Sequence, residues 1–207
     1  MPHLLTRGSA AVLLAISALS ACGGARPAGS VTVGADSAPV PSAADVHFMI
    51  GMIAHHSQAL VMSAWAPTHG ASATVRTLAE RIAAGQRDEI GLMQSWLRDR
   101  GHTAPEVGTG AVTMTMNGMK HEMTMPGMLT EAQLRQLDAA RGAEFDRLFL
   151  TFMIQHHRGA VSMVKELFET DGAAQEQSVF KLASDVSADQ TTEISRMQRM
   201  LVALTIR

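Results

Sequence analysis

Two pairs of adjacent histidines, each set between two methionines, are the residues of this sequence best suited to chemistry. His55 and His56 lie between Met52 and Met62. The same spacing recurs at an offset of 101 residues, as Met153, His156, His157 and Met163. Imidazole nitrogen and thioether sulfur are donors for soft and borderline metal ions, so the duplicated pattern predicts a metal site. The alternative is a buried network in which carboxylates hydrogen-bond the imidazoles and no ligand binds.

Helical geometry places both histidine pairs on the apolar side of their segments. At about 100° per residue, each pair shares an inward sector with its methionines and with an earlier aspartate, Asp45 in the first copy and Asp146 in the second. Glu89 and Glu193 lie on the inward stripes of two further segments. Buried polar groups cost several kcal/mol unless they are paired or bind something. We therefore expect these four carboxylates to orient the metal ligands without binding the ion themselves.

A methionine-rich segment between the two copies forms a second candidate site. Six methionines and one histidine fall within residues 114–128, among Thr, Asn, Gly and Pro residues that favour a loop over a helix. Such a loop has no apolar face to fill, and exposed thioethers are open to oxidation. Metal capture is the preferred interpretation, and a half-buried lid or an adaptable binding surface are the alternatives. The candidate ligands here are Met114, Met116, Met119, His121, Met123, Met125 and Met128.

Donor softness selects the metal. Thioethers are poor ligands for Mg, Ca, Mn and Fe(II) and good ligands for Cu(I), while imidazole adds competence for Cu(II). Zinc prefers cysteine or histidine with carboxylate, and the only cysteine of the chain is Cys22, near the N-terminus. The sequence therefore predicts copper, preferably as Cu(I), with Cu(II) and Ag(I) as further ions that the same donors accept.

The elements that carry these residues are predicted to be helices in two related pairs. A second internal match, at an offset of 104 residues, repeats the set Gln86, Glu89, Ile90, Met93 and Leu97 as Gln190, Glu193, Ile194, Met197 and Leu201. No segment alternates with period two for long enough to demand a sheet. The expected architecture is an all-α four-helix bundle built from two repeated helical hairpins. Its helices are predicted at residues 43–66, 71–99, 130–169 and 173–204.

The N-terminal segment is predicted to be an export signal. Residues 1–21 combine a charged start, a short apolar run and small residues, and the run is too short to span a bilayer. Its ending, Leu-Ser-Ala before Cys22, resembles the lipobox of bacterial lipoproteins and predicts lipidation of that cysteine; ordinary secretory cleavage is the alternative. Residues 22–42 then form a flexible tether and 43–204 the folded domain, with a Met-rich loop at 105–129. We expect a protein of the cell envelope, anchored to a membrane by lipid on its periplasmic or extracellular face.

Composition and motifs exclude several function classes. The 17 Lys and Arg residues against 19 Asp and Glu give a net charge of −2, which supplies no basic field for nucleic acid. The sequence has neither a P-loop nor a Gly-x-Ser-x-Gly motif. A di-iron centre of the bundle type needs Glu-x-x-His, which is also absent from the sequence. The chain is therefore not expected to be an enzyme.

The duplicated Met-x-x-His-His-x5-Met motifs, with Gln-x-x-Glu-Ile-x-x-Met on the partner helices, resemble an exported family, the domain of unknown function numbered 305. The resemblance covers about residues 43–204. It implies a ferritin-like four-helix bundle, and some members of that family are periplasmic copper-binding proteins involved in copper resistance. Carried over position by position, it implies the same eight ligands: Met52, His55, His56, Met62, Met153, His156, His157 and Met163.

The leading hypothesis is thus an exported, lipid-anchored copper-binding protein for sequestration or homeostasis of the metal. It would take copper from, or pass it to, a partner that the sequence does not identify. A ferritin-like metalloenzyme that oxidises a metal ion is the first alternative. A structural or partner-binding bundle without metal is the second. Three further histidines, His47, His69 and His102, lie outside the repeated pattern and receive no role.

Overall fold

The computed structural model describes residues 40–107, 112–116, 119–123 and 125–206. The predicted signal, Cys22 and all but the last three residues of the predicted tether lie outside the described residues.

The first hairpin consists of α1 (Ala43–Trp65) and α2 (Ala73–Asp99). The α1 helix begins with a capping box, because the Ser42 hydroxyl accepts from the backbone N–H of Asp45 and the Asp45 carboxylate accepts from that of Ser42. The Ser72 side chain caps α2 by accepting from a backbone N–H in its first turn. Both helices therefore start where the sequence supplies an N-cap, within two residues of the predicted positions.

The second hairpin consists of α4 (Gly142–Glu169) and α5 (Gln177–Thr205), preceded by the short helix α3 (Glu131–Ala139). The single helix predicted at residues 130–169 is therefore wrong, since two helices occupy that span. The chain is extended at Ala140 and has a positive φ of 58° at Gly142, which interrupts helical hydrogen bonding.

The Met-rich loop departs from its prediction in one respect, because its backbone forms a small β-hairpin. Strand β1 (Val112–Met116) pairs antiparallel with β2 (Met119–Met123). The register sets Met114 opposite His121 and Met116 opposite Met119. The hairpin is an addition to the bundle and does not change its class.

The helices pack as the repeat predicts: α1 lies along α2, α4 lies along α5, and the two hairpins meet through α1 and α4. This confirms the all-α four-helix bundle. Contacts between the start of α1 and the segment after α4, and between the start of α4 and the segment after α1, show that these helices run antiparallel. None of the described helices is both long enough and apolar enough to cross a bilayer.

Candidate metal centre

The centre of the bundle is a contact between the two histidine-bearing helices. The imidazoles of His55 and His156 lie with their ring centroids 3.8 Å apart and their planes tilted by 37°, and both side chains are fully buried. The Nε2 atom of His156 donates to the backbone carbonyl of His55 at 2.9 Å. The Nε2 atom of His55 donates to the carbonyl of Pro126 at 3.0 Å. The first histidine of each copy is thus fixed by a backbone acceptor.

The second histidine of each copy is fixed by a carboxylate. The Nε2 atom of His56 lies 2.8 Å from the carboxylate of Glu89, and that of His157 lies 2.7 Å from the carboxylate of Glu193. Both rings are fully buried, whereas each glutamate side chain keeps some exposure. The predicted supporting role of these two glutamates therefore has the geometry that it requires, since a carboxylate on one ring nitrogen orients the ring and raises the basicity of the other.

All four rings leave Nδ1 without a hydrogen-bond partner in the interior. A carbonyl oxygen can only accept, so Nε2 of His55 and His156 must carry the ring hydrogen, and in the neutral ring Nδ1 is then an unprotonated lone pair. Burial, followed by the charge of the neighbouring His56, lowers the pKa of His55 to about 3. Burial and the adjacent histidines likewise lower the pKa of His156 well below 6.5. Neutral imidazole with a free nitrogen is the form that binds a metal ion. These residues therefore fit the copper site that the sequence predicts.

The four predicted methionine ligands lie on the same two helices as the histidines, with one methionine before and one after each histidine pair in the chain. All are buried, and they divide between two core clusters so that each cluster contains one from each repeat. Met52 and Met163 share one cluster, and Met62 and Met153 share the other. Among the described residues no three His, Cys, Asp or Glu side chains form a group able to hold a metal ion. The donors that flank the imidazoles along these two helices are thioethers, which together with imidazole form a soft set.

The end of the Met-rich loop is bound to the bundle. Gln58 donates to the carbonyl of Leu129 at 3.1 Å, and the Leu129 N–H donates back to the Gln58 side chain at 2.7 Å. Met125 is buried, and its sulfur and methyl group lie 3.1 Å from the point where a Cβ on Gly51 would sit. The methyl group of Met163 lies 3.3 Å from the same point. One loop thioether and one helix thioether therefore approach each other in the space that Gly51 leaves.

The other loop candidates are only partly located. Met128 is half-buried against the cluster that contains Met52. The remaining candidates lie on the β-hairpin, and their side chains fall outside the described part of the structure: Met114, Met116, Met119, His121 and Met123. Their role as ligands stays a prediction.

Asp45 and Asp146, expected to support the ligands, make other contacts. Asp45 accepts from the backbone N–H of Ala174, at 2.7 Å, and Asp146 accepts from that of Ser72, at 3.1 Å. Each buried aspartate therefore joins the start of one hairpin to the interhelical turn of the other. The expectation that they orient the imidazoles is corrected: their hydrogen bonds hold the two hairpins together.

Two glutamines belong to the site region but received no role from the sequence. Gln86 and Gln190 are 3% and 2% exposed, and neither amide group has a hydrogen-bond partner. Each precedes by three residues the glutamate that holds a histidine. The signal that marks them is the repeat itself, which pairs them at the same offset as Glu89 and Glu193.

Comparison with known proteins places the chain in a family. The family model described as Domain of unknown function (DUF305) matches residues 45–201. The chain belongs to the DUF305 family. This confirms the resemblance carried by the duplicated motifs, and no curated protein matches the chain significantly.

Solved DUF305 structures share the fold. A DUF305 fragment from Deinococcus radiodurans is 28% identical, with a TM-score of 0.66, and the match covers 80% of this chain and 99% of that one. A DUF305 protein from Streptomyces coelicolor is 31% identical, also with a TM-score of 0.66, over 78% of this chain and 94% of that one. CopM in its Cu(II)-bound form is 26% identical, with a TM-score of 0.59, over 77% of this chain and 96% of that one. CopM has also been solved in Cu(I)-bound and Ag-bound forms.

Proposed function

We propose that this protein binds copper in the interior of its bundle, preferably as Cu(I), and sequesters or relays the metal without catalysing a reaction. The ligands are the Nδ1 atoms of the four histidines together with the flanking thioethers. Ag(I), which resembles Cu(I) in softness, and Cu(II), which imidazole accepts, are further ions for the same donors.

The observation that carries this proposal is the set of four buried imidazole nitrogens without partners. A buried polar atom with no hydrogen bond costs about 1–3 kcal/mol, and the same orientation is repeated in both halves of the chain. A satisfied hydrogen-bond network, the structural alternative, would use these nitrogens. The similarity to CopM, which has been solved with copper and with silver, supports the same metal class.

An anaerobic Cu(I) titration of the purified full-length protein against a competing chelator tests the proposal. The decisive variant carries glutamine at positions 55, 56, 156 and 157. Glutamine keeps an amide N–H near the position of Nε2, so it can still donate to the same acceptors, but it has no counterpart of Nδ1. We expect the bundle site to lose more affinity than the 10- to 100-fold that removal of a supporting group costs.

The matched control replaces two buried methionines that lie on α2 and α5, outside the duplicated histidine motifs. Met93→Leu with Met197→Leu removes two thioethers at nearly constant volume and should leave copper affinity unchanged. Less than one tightly held copper per wild-type chain would overturn the proposal. Steady consumption of oxygen during oxidation of Cu(I) or Fe(II) would favour a ferritin-like metalloenzyme instead.

The Met-rich loop is proposed as a second copper site. Replacing Met114, Met116, Met119 and Met123 by serine removes the strand thioethers and leaves the buried Met125 in place. Copper stoichiometry should fall while the bundle site keeps its affinity. An unchanged stoichiometry would remove the loop from the proposal.

The proposed place of action is the cell envelope. The N-terminal segment predicts export and lipidation at Cys22, and the Streptomyces coelicolor relative is described as a candidate secreted protein. Copper held there would be intercepted at a membrane surface, outside the cytoplasm.

A further inference from the structure

A polar cavity opens on the side of the bundle formed by α2 and α5. It has a volume of about 230 Å³. Charged and amide side chains make up most of its lining: Arg81, Gln86, Glu89, Asp189, Gln190 and Glu193. At about 30 Å³ per water molecule, it has room for on the order of seven waters. That is enough for a metal ion with its hydration shell.

Two independent observations indicate that the cavity accommodates a cation. The three carboxylates against one guanidinium leave an excess of two negative charges on its walls. The amides of Gln86 and Gln190 also line it, and each is more than nine-tenths buried with both of its polar atoms unpaired. Unpaired buried amides are costly, so they mark a place that water or a hydrated ligand occupies.

The carboxylates also interact with one another. Partial burial, followed by the charges of Glu89, Glu193 and Asp185, raises the pKa of Asp189. Mutual repulsion of this kind is relieved by a bound cation.

Two glutamates connect the cavity to the imidazoles of the candidate metal centre. Glu89 and Glu193 line it and at the same time hold His56 and His157 through Nε2. A cation that reaches these carboxylates competes with the imidazole N–H groups for the same oxygen atoms.

We propose that this cavity is a cation vestibule, in which the carboxylates and the glutamine amides hold a hydrated metal ion before it reaches His56 and His157. This inference rests on the proposed copper-binding function. Contact through the water shell requires no three carboxylates or imidazoles to converge on the ion, in keeping with the absence of such a group among the described residues. Concentrating cations at the mouth accelerates their capture, and the acceleration weakens as salt screens the charges.

Stopped-flow mixing of the full-length protein with Cu(II) tests the vestibule through the fluorescence of Trp65 and Trp96. Asp189→Asn removes a charge from the exposed mouth and should slow loading several-fold, with a weaker dependence on salt. Gln86→Leu with Gln190→Leu makes the walls apolar and should slow loading at least tenfold. In both variants the final copper stoichiometry should equal that of the wild type.

The control is Asp171→Asn, an equal loss of charge at an exposed residue of the turn between α4 and α5 that does not line the cavity. It should load at the wild-type rate. Urea unfolding of the double leucine variant checks that it is folded. If the Leu variant does not fold, Asp189→Asn still decides.

The outcomes separate the two proposals. Wild-type loading rates in both vestibule variants, with normal stoichiometry, would overturn the vestibule and leave the copper function standing. A wild-type protein that takes up neither Cu(II) in this experiment nor Cu(I) in the chelator titration would overturn the copper function and the vestibule with it. Binding of Cu(I) without any uptake of Cu(II) would overturn the vestibule alone. Equal slowing in Asp171→Asn would show that general surface charge, rather than the cavity, sets the rate.

Discussion

At the scale of single residues, His55 and His156 make the metal-free protein sensitive to acid. Burial lowers the pKa of His55 to about 3, and the pKa of His156 also falls well below 6.5, whereas both rings titrate near 6.5 in the unfolded chain. Between these values the unfolded state binds more protons, so stability is complete above pH 6.5 and is lost as the pH falls. Each ring contributes a slope of about 1.4 kcal/mol per pH unit.

Urea unfolding of the metal-free protein between pH 7 and pH 4 measures this slope. The variant His55→Gln should remove one of the two contributions while keeping an amide donor for the Pro126 carbonyl. Met49→Leu, a buried change with no titrating group, serves as the control and should keep the full slope. A wild-type slope in His55→Gln would contradict the prediction.

The sequence predicts which side chains of a helix face the core better than it predicts the groups that those side chains contact. The 3.6-residue period places His55, His56 and Glu89 on inward faces, and each is buried or half-buried there. It also places Asp45 inward, but its partner at Ala174 lies 129 residues away in the chain. Periodicity indicates which side of a helix faces the core. It contains no information about which distant backbone group a side chain contacts on that side.

At the scale of elements, a contact between backbones sets the position of the loop end on α4. A Cβ on Gly159 would lie 1.9 Å from the carbonyl oxygen of Pro126, and one on Gly127 would lie 2.6 Å from the carbonyl of Gln155. The helix and the turn can approach this closely only because both residues lack a side chain. The same Pro126 carbonyl accepts the hydrogen bond of His55, so the contact also positions a candidate ligand.

We expect Gly159→Ala to displace this turn and to lower the free energy of unfolding by about 1–3 kcal/mol, the usual cost of overpacking. In the control Gly91→Ala, a Cβ would have no atom within 4 Å. That change lies inside α2 and should stabilise the protein by about 0.5–1 kcal/mol, as alanine does in a helix interior. Urea denaturation of the three proteins measures the difference. Two changes of the same sign and size would show that the turn does not depend on Gly159.

The boundaries of the elements follow from the sequence where local signals determine them. Ser42 and Ser72 mark helix starts that are visible as N-caps. The break before Gly142 is less visible, because a tertiary contact accompanies it: the N–H of Gly142 donates to the carbonyl of His69, in the turn between α1 and α2, at 2.9 Å. The β-hairpin is not predicted from the sequence for a different reason. Its short strands are rich in Met and Thr, and residues typical of loops flank them.

At the scale of the whole molecule, the duplication produces two related halves that differ where the loop arrives. The residue equivalent to Gly51 in the second repeat is Phe152, whose side chain is 8% exposed and packs in the core. The first repeat instead leaves space, which Met125 from the loop fills beside Met163. Among the described residues, this space brings the thioether of Met125 in the loop beside that of Met163 in the bundle. A copper ion passed from the loop to the bundle would have this pair of thioethers on its route.

The predicted lipid anchor at Cys22 would attach the whole protein to a membrane. Expressed as the full chain in a bacterial host, the wild type should incorporate labelled fatty acid and sediment with membranes, because lipidated protein is held by its acyl chains. Cys22→Ala removes the acceptor and should move the protein out of the membrane fraction, with copper binding by the purified domain unchanged. Ser37→Ala, in the tether, is the matched control and should stay with the membranes. A wild type without the label, released in soluble form with a free thiol or without Cys22, would mean ordinary secretory cleavage and a bundle that carries copper unattached.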